Sequence, residues 1–292
     1  MATLRELKGR IGSVASSEKI TGAMKMISSA KMHKAEGALR QLRPYRDQVE
    51  TIIGNLLASD AAFDSPLMTP RPVVDRVAVV VWGSDDGLCG AYNINIFKQL
   101  LAKISEFRSA FGDDVKVTVI PVGAKMAKAA SKIKIAGVDV RLPQDVDSKT
   151  TEVRDFTWSL RDSFLSGEFD RVEVLYMSYK SVSRQRIESA GLLPVTSEAF
   201  AGVKGEVAVK PYIFEPSADA IFAKVLPMCL LAVIQDIFTE NRASEQAARV
   251  MAMQSANDNA KKLHDQLQLE FNKLRQQAIT TELLDILGGQ VK

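Results

Sequence analysis

"VDRVAVVVWGSDDGLCGAYNIN", Val74–Asn95, is a run of strand formers that breaks at Gly83 and reopens as a helical pattern from residue 93. A strand, a glycine-bearing turn and a helix make the first half of a βα unit. Such a junction is also where phosphate-binding loops sit, so its residues have to be tested against that chemistry. A Walker A loop needs Gly-x4-Gly-Lys-Ser/Thr, and neither the lysine nor the hydroxyl follows Gly83–Gly90. The dinucleotide fingerprint lacks its first glycine pair, because only Gly87 and Gly90 stand in register. Asp85 and Asp86 would place two carboxylates where a pyrophosphate should lie. The glycines are expected to permit a tight turn rather than to cradle an anion.

Working outward, residues 74 to 193 alternate in the α/β manner. Strand-like runs are "DRVAVVVW" (75–82), "VKVTVIPV" (115–122), "VDVRL" (138–142), "RVEVLYMSY" (171–179) and "RIESAGLLPV" (186–195), with helical runs at 93–111, 123–133 and 151–167. This alternation predicts a Rossmann-like, mainly parallel sheet with the last run as an antiparallel edge. Proline-rich "ASDAAFDSPLMTPRP" precedes it, and residues 194–216, with Gly202, Gly205, Pro211 and Pro216, follow it as a second linker.

Outside the linkers lie two long helical patterns. From Leu4 and Leu7 in steps of seven, the seam positions are Leu4, Leu7, Ile11, Val14, Glu18, Thr21, Lys25, Ser28, Met32, Ala35, Leu39, Leu42, Arg46, Val49, Ile53 and Leu56, and eleven of the sixteen are apolar. That is a coiled-coil signal. Four of its polar positions are consecutive, Glu18 to Ser28, while Ile20, Met24 and Ile27 lie on a shifted face. Two readings of this break stand open: a stutter that rotates the helix, or a turn that meets a third body. At the other end, 217–287 holds no proline except Pro227 and no glycine, and Met253, Ala256, Ala260, Leu263, Leu267, Phe271, Leu274 and Ala278 step by threes and fours up to the expected stop at Gly288–Gly289.

At 1.5 Å per residue these helices would be roughly 85 and 105 Å long, too long for the central domain to cover. Packing the two stripes on each other antiparallel is the simplest way to bury both. The expected fold class is α/β: a Rossmann-like sheet domain (58–216, with linkers) inserted between an N-terminal helix (1–57) and a C-terminal helix (217–292) that form an antiparallel coiled coil, a globular foot on a shaft.

Composition fits a soluble chain, 46% hydrophobic and 25% charged, and a net charge of +3 over 292 residues gives no general case for nucleic acid. The first 46 residues are nevertheless basic, with ten Lys and Arg against three Glu. Cys89 and Cys229 lack metal or disulfide spacing. The best apolar run, "VLPMCLLAVI" (225–234), is ten long and is not expected to span a membrane. His33 and His264 both fall on the helices without a partner set. No active site, metal or cofactor is expected.

Four stretches carry a family resemblance over essentially the full length: "RIGSVASSEKITGAMKMISSAKM", "SDDGLCGAYNINIFK", "ENRASEQAARVMAMQSANDNA" and "LEFNKLRQQAITTELLDI". Together they resemble the gamma subunits of F-type ATP synthases. Asp86 departs from the arginine usual there, and the end "GGQVK" from the usual alanine-rich tail. No targeting segment is recognised, and the cysteine-bearing insertion of chloroplast forms is missing, so a bacterial protein is expected, with a mitochondrial one as the alternative.

The resemblance implies a non-catalytic rotor shaft inside a ring of three alpha and three beta subunits, with its foot on epsilon and the c-ring. It assigns Arg275 and Gln276 to a loop of one beta subunit, and Met24 and Lys25, with Arg249 nearby, to the acidic lever of beta. Tyr212 and Glu215 match the foot region at the c-ring. The residues alone also admit a nucleotide-binding enzyme with a dimerisation arm, or a self-associating coiled-coil scaffold.

Overall fold

The computed structural model describes residues 3–57, 65–142, 150–196, 214–215 and 217–289. Its elements, in order, are α1 (Leu4–Leu57), β1 (Arg76–Trp82), α2 (Tyr92–Phe111), β2 (Lys116–Val122), α3 (Ala124–Ala130), β3 (Val138–Val140), α4 (Thr150–Leu165), β4 (Arg171–Ser181), β5 (Arg184–Leu193) and α5 (Ala218–Gly289). The chain divides into two compact units, Met1–Ala30 with Arg249–Lys292, and Lys31–Ala248.

The larger unit is built on a five-stranded sheet of order β3-β2-β1-β4-β5. β1 pairs in parallel with β2 and β4, β2 with β3, and β4 antiparallel with β5. The expected mainly parallel sheet with an antiparallel edge is therefore present. β1 is central and buried on both faces, which is why it reads as an unbroken Val run rather than an alternation. Ala78, Val80 and Trp82 point into a core shared with Val153, Leu160 and Phe164 of α4, Val49, Ile53 and Leu56 of α1, and Phe222, Leu226 and Leu230 of α5. Val77, Val79 and Val81 point the other way, into a core with Ile96, Leu100 and Ile104 of α2 and Met126 of α3. The two edges differ. β3 has three residues, and β5 carries Arg184, Arg186 and Glu188 along a half-exposed strand.

The apolar part of α5 is longer than the ten residues noted in the sequence. It extends from Ile221 and Phe222 to Ile237 and Phe238, and α5 passes the length and composition test for a membrane-crossing helix. Phe222, Leu226, Cys229, Leu230, Ile234 and Ile237 spend that hydrophobicity inside the core instead. α5 is described as far as Gly289, the second of the two glycines expected to end it. Glycine weakens a helix interior by only about 1 kcal/mol per residue.

In the smaller unit, α1 begins with a capping box. Thr3 Oγ1 accepts from the Glu6 N–H (3.3 Å), and Glu6 Oε2 accepts from the Thr3 N–H (2.8 Å). The heptad seam bears on the stutter, one of the two readings left open at the polar break. All sixteen seam positions are buried or half-buried, whereas Ile20 and Ile27 of the shifted face are 59% and 57% exposed. The seam thus runs straight through its polar stretch.

Hydroxyl back-bonding lines this part of α1, and it includes Thr21 of the seam. Ser13, Ser16, Ser17 and Thr21 donate their hydroxyls back to the carbonyls of Gly9, Gly12, Ser13 and Ser17. Across the pair, Asn257 Nδ2 donates to the Glu18 carbonyl at 2.7 Å and lies 3.4 Å from Thr21 Oγ1. The same amide nitrogen lies beside Gly22, where a Cβ would meet it at 3.4 Å, close to an ordinary contact. Asn257→Ala is expected to cost about 1 kcal/mol, the usual net contribution of one such bond. An unchanged denaturation midpoint in the full chain would show that the bond contributes nothing.

Candidate functional site: the carboxyl edge of the sheet and the helix pair

The turn after β1 is filled by its own residues. Asn93 Oδ1 accepts from the Ser84 N–H (3.0 Å), Asn93 Nδ2 donates to Ser84 Oγ (2.7 Å), and Ser84 Oγ donates to the Asp86 carbonyl (2.7 Å). Asp85 Oδ1 takes the Ala124 N–H at the start of α3 (3.1 Å). A carboxylate therefore already occupies the positive end of that short helix. The glycines serve two different ends. Gly90 takes a positive φ of 62°, as does the non-glycine Leu88 at 65°. Gly83 is needed for space instead, because a Cβ there would lie 2.5 Å from Met126 Cβ.

Doubly wound sheets hold ligands outside the carboxyl ends of their strands, where the strand order reverses. Here that point lies between β1 and β4, and α5 fills it. Tyr92 Oη donates to Asn241 Oδ1 (2.7 Å) and lies 3.2 Å from the Asn241 carbonyl, while Asn241 Nδ2 donates to the Gly83 carbonyl (3.0 Å). Ala243 and Ala247 pack beside Tyr179 of β4 together with Met32 and Leu39 of α1.

A second polar cluster ties α1 to α5 within the larger unit. Arg46 donates through Nε to Glu50 Oε1 (2.7 Å) and through Nη1 to Asp236 Oδ2 (2.5 Å). Arg43 reaches Glu240 at 3.3 Å, and Tyr179 donates to Glu36. Burial, aided by the nearby Asp236 carboxylate, raises the Glu240 carboxyl above its ordinary value. Burial also pushes the Cys229 thiol up to about 12, so it stays protonated and unreactive at neutral pH. His33 pairs with Glu36 on its own helix. Among the described residues no three His, Cys, Asp or Glu side chains are grouped to hold a metal.

In the smaller unit, Glu6, Gly9, Arg10, Ser13 and Val14 of α1 and Leu263 and Leu267 of α5 line an open groove of about 640 Å³. Met24 and Lys25 are half-buried on α1. With Asn257 opposite Thr21 in an antiparallel pair, Lys25 lies within about one helical turn of the level of Arg249. Arg249 itself is only 6% exposed and already engaged within the chain. Arg275 and Gln276 are exposed, and the Gln276 carbonyl accepts from Thr280 Oγ1 (2.9 Å). Glu215 is exposed just ahead of α5, and Tyr212 lies outside the described residues. Met24 and Lys25 thus lie about one helical turn from the level of Arg249 along the pair, and Arg275–Gln276 lie further along α5.

A family model described as ATP synthase matches residues 3–291. The ATP synthase gamma chain of Bacteroides fragilis is 40% identical over 299 residues, covering 100% of both chains, and that of Bacteroides thetaiotaomicron is 38% identical over 301 residues with the same coverage. The chain belongs to the ATP synthase gamma chain family.

Solved structures give the same fold at lower identity. A chain of the Euglena gracilis mitochondrial ATP synthase OSCP/F1/c-ring assembly, in rotational state 3, matches with a TM-score of 0.66 at 20% identity, over 98% of this chain and 93% of that one. A chain of the Tetrahymena thermophila mitochondrial ATP synthase central stalk/c-ring matches with a TM-score of 0.58 at 19% identity, over 81% and 99%. As a gamma chain this protein is a subunit of ATP synthase rather than its catalytic chain. Two of the stretches that carried the resemblance, "SDDGLCGAYNINIFK" and "ENRASEQAARVMAMQSANDNA", meet in the gamma chain fold through Tyr92 and Asn241. Neither residue was singled out from the sequence. The available signal was the polar "ENRASEQ" following a helix half that is otherwise apolar.

Proposed function

We propose that this gamma chain is the central rotor shaft of an F-type ATP synthase, coupling proton flow through the c-ring to ATP synthesis and hydrolysis at the beta subunits. The full-length match to gamma chains carries this reading. The antiparallel helix pairing supports it, and so does the occupation of the sheet's ligand crevice by α5. The working parts are an N-terminal helix (1–57), a central foot with its linkers (58–216) and a C-terminal helix (217–292). The partners are three alpha and three beta subunits around one copy of this chain, with epsilon and the c-ring at the foot. The complex sits on the cytoplasmic face of the bacterial inner membrane.

A turning shaft has to make and break contacts cheaply, and exposed polar pairs, worth about 0–1 kcal/mol each, serve that need. Met24, Lys25 and Arg249 are assigned to the beta lever, Arg275 and Gln276 to a beta loop, and Tyr212 and Glu215 to the c-ring side. Co-expression with tagged beta and its alpha partner, followed by native mass spectrometry, tests the reading. One copy with three alpha and three beta is expected, and a stable homodimer outside any ring would overturn it.

Arg275→Glu is expected to lower coupled ATP synthesis in membrane vesicles roughly fivefold, the scale of about 1 kcal/mol of lost charge-assisted bonding. Wild-type rates would remove this residue from the contact.

A further inference from the structure

We infer that Asn241 and Tyr92 are positioning residues that key α5 to the end of β1, so that a turning force on the sheet is carried into α5 without slip. The inference rests on the rotor reading. An apolar interface resists separation, but the attraction is non-directional, whereas a hydrogen bond depends on both distance and angle. The stretch of α5 at the sheet edge is smooth in this sense, its Ala243 and Ala247 presenting single methyl groups to Met32, Leu39 and Tyr179. Arg46–Asp236 and Arg43–Glu240 tie α5 to α1, and α1 is tied in turn to β4 through Glu36 and Tyr179, so those contacts reach the sheet only by way of a second helix. Asn241 ties α5 to the sheet.

The geometry of that tie is tight at every atom. Tyr92 and Asn241 are each 3% exposed, so water does not compete for their bonds. The amide accepts from Tyr92 Oη at 2.7 Å and donates to Gly83 O at 3.0 Å, which fixes it from two directions. Its anchor is rigid as well. The Gly83 N–H donates to the Val122 carbonyl (2.8 Å), and Gly83 is pressed against Met126 with no room for a Cβ. An amide on a helix side chain lies roughly 5 Å from the axis, so a 20° turn of α5 alone would move it by about 2 Å. Hydrogen bonds of 2.7–3.0 Å do not survive such a displacement. α5 therefore cannot rotate against the sheet by even a small angle without breaking both bonds.

The test uses the assembled catalytic ring with its shaft. A bead is attached through an engineered exposed cysteine on the sheet unit, and its angular variance is recorded during catalytic pauses, alongside ATP hydrolysis and the thermal midpoint. In Tyr92→Phe, which deletes one of the two side-chain bonds, the variance is expected to rise above wild type. In Asn241→Leu, which deletes both, it is expected to rise further, with hydrolysis unchanged in each. A lowered midpoint with wild-type variance in both variants would reduce the pair to a stability contact and overturn the inference. A wild-type bead that does not turn during hydrolysis would overturn the rotor reading itself, and the two failures are thereby told apart.

Discussion

Gly83→Ala is expected to lower the stability of the sheet unit by about 3 kcal/mol, at the upper end of what overpacking a filled core costs. The added methyl would sit 2.5 Å from Met126 Cβ and 3.0 Å from Asn93 Oδ1. Met126 Cβ is fixed to the α3 backbone, so no rotamer change removes the clash, and β1 and α3 must move apart. That displacement would also disturb the Ser84–Asn93 bonds and the Asn241 amide on the Gly83 carbonyl. A fall in the thermal midpoint of roughly 10 °C is the corresponding observable for a unit of this size. A midpoint within about a degree of wild type would mean that the close approach is not a packing constraint.

The second large effect is expected at Arg46. Its guanidinium spans Glu50 and Asp236 and is held above its ordinary value because these ion pairs outweigh the burial that opposes them. Arg46→Met would leave the Asp236 carboxylate, only 5% exposed, facing apolar neighbours with its partner gone. Removing one member of a buried pair costs about 3–5 kcal/mol; with Arg46 itself one-third exposed, about 3 kcal/mol is expected. Replacing both, Arg46→Met with Asp236→Leu, is expected to recover most of the loss, because the penalty lies in the abandoned charge rather than in the missing attraction. Equal losses in the single and double variants, measured by chemical denaturation, would contradict this account.

Elements whose reason is local were legible in the sequence. The β1 valines, the α/β alternation, the antiparallel last strand and the a/d seam follow from period and run length, and each is present. The polar break at Glu18–Ser28 was visible, but its sequence left two readings open, a stutter and a turn that meets a third body. Its explanation is a partner 239 residues away, Asn257 on the Glu18 carbonyl. The same distance hides the rest of the candidate site. Tyr92 and Asn241 are 149 residues apart, and Arg46 and Asp236 are 190 apart. No periodicity links such residues before the chain has folded. Gly83 was marked as a turn glycine, whereas its need is for space against α3, a helix that begins 41 residues later.

The two edges of the sheet bear on what happens to the chain before it has partners. An open strand is a template on which a second copy can pair, and a gamma chain released from the ribosome has to survive until it is assembled with its partners. β3, with three residues, is too short to seed such pairing. β5 is ten residues long, but it sets Arg184, Arg186 and Glu188 along the exposed border, so a copy laid against it would have to desolvate charges. The same border that closes the fold therefore works as protection against aggregation while the subunit waits for assembly.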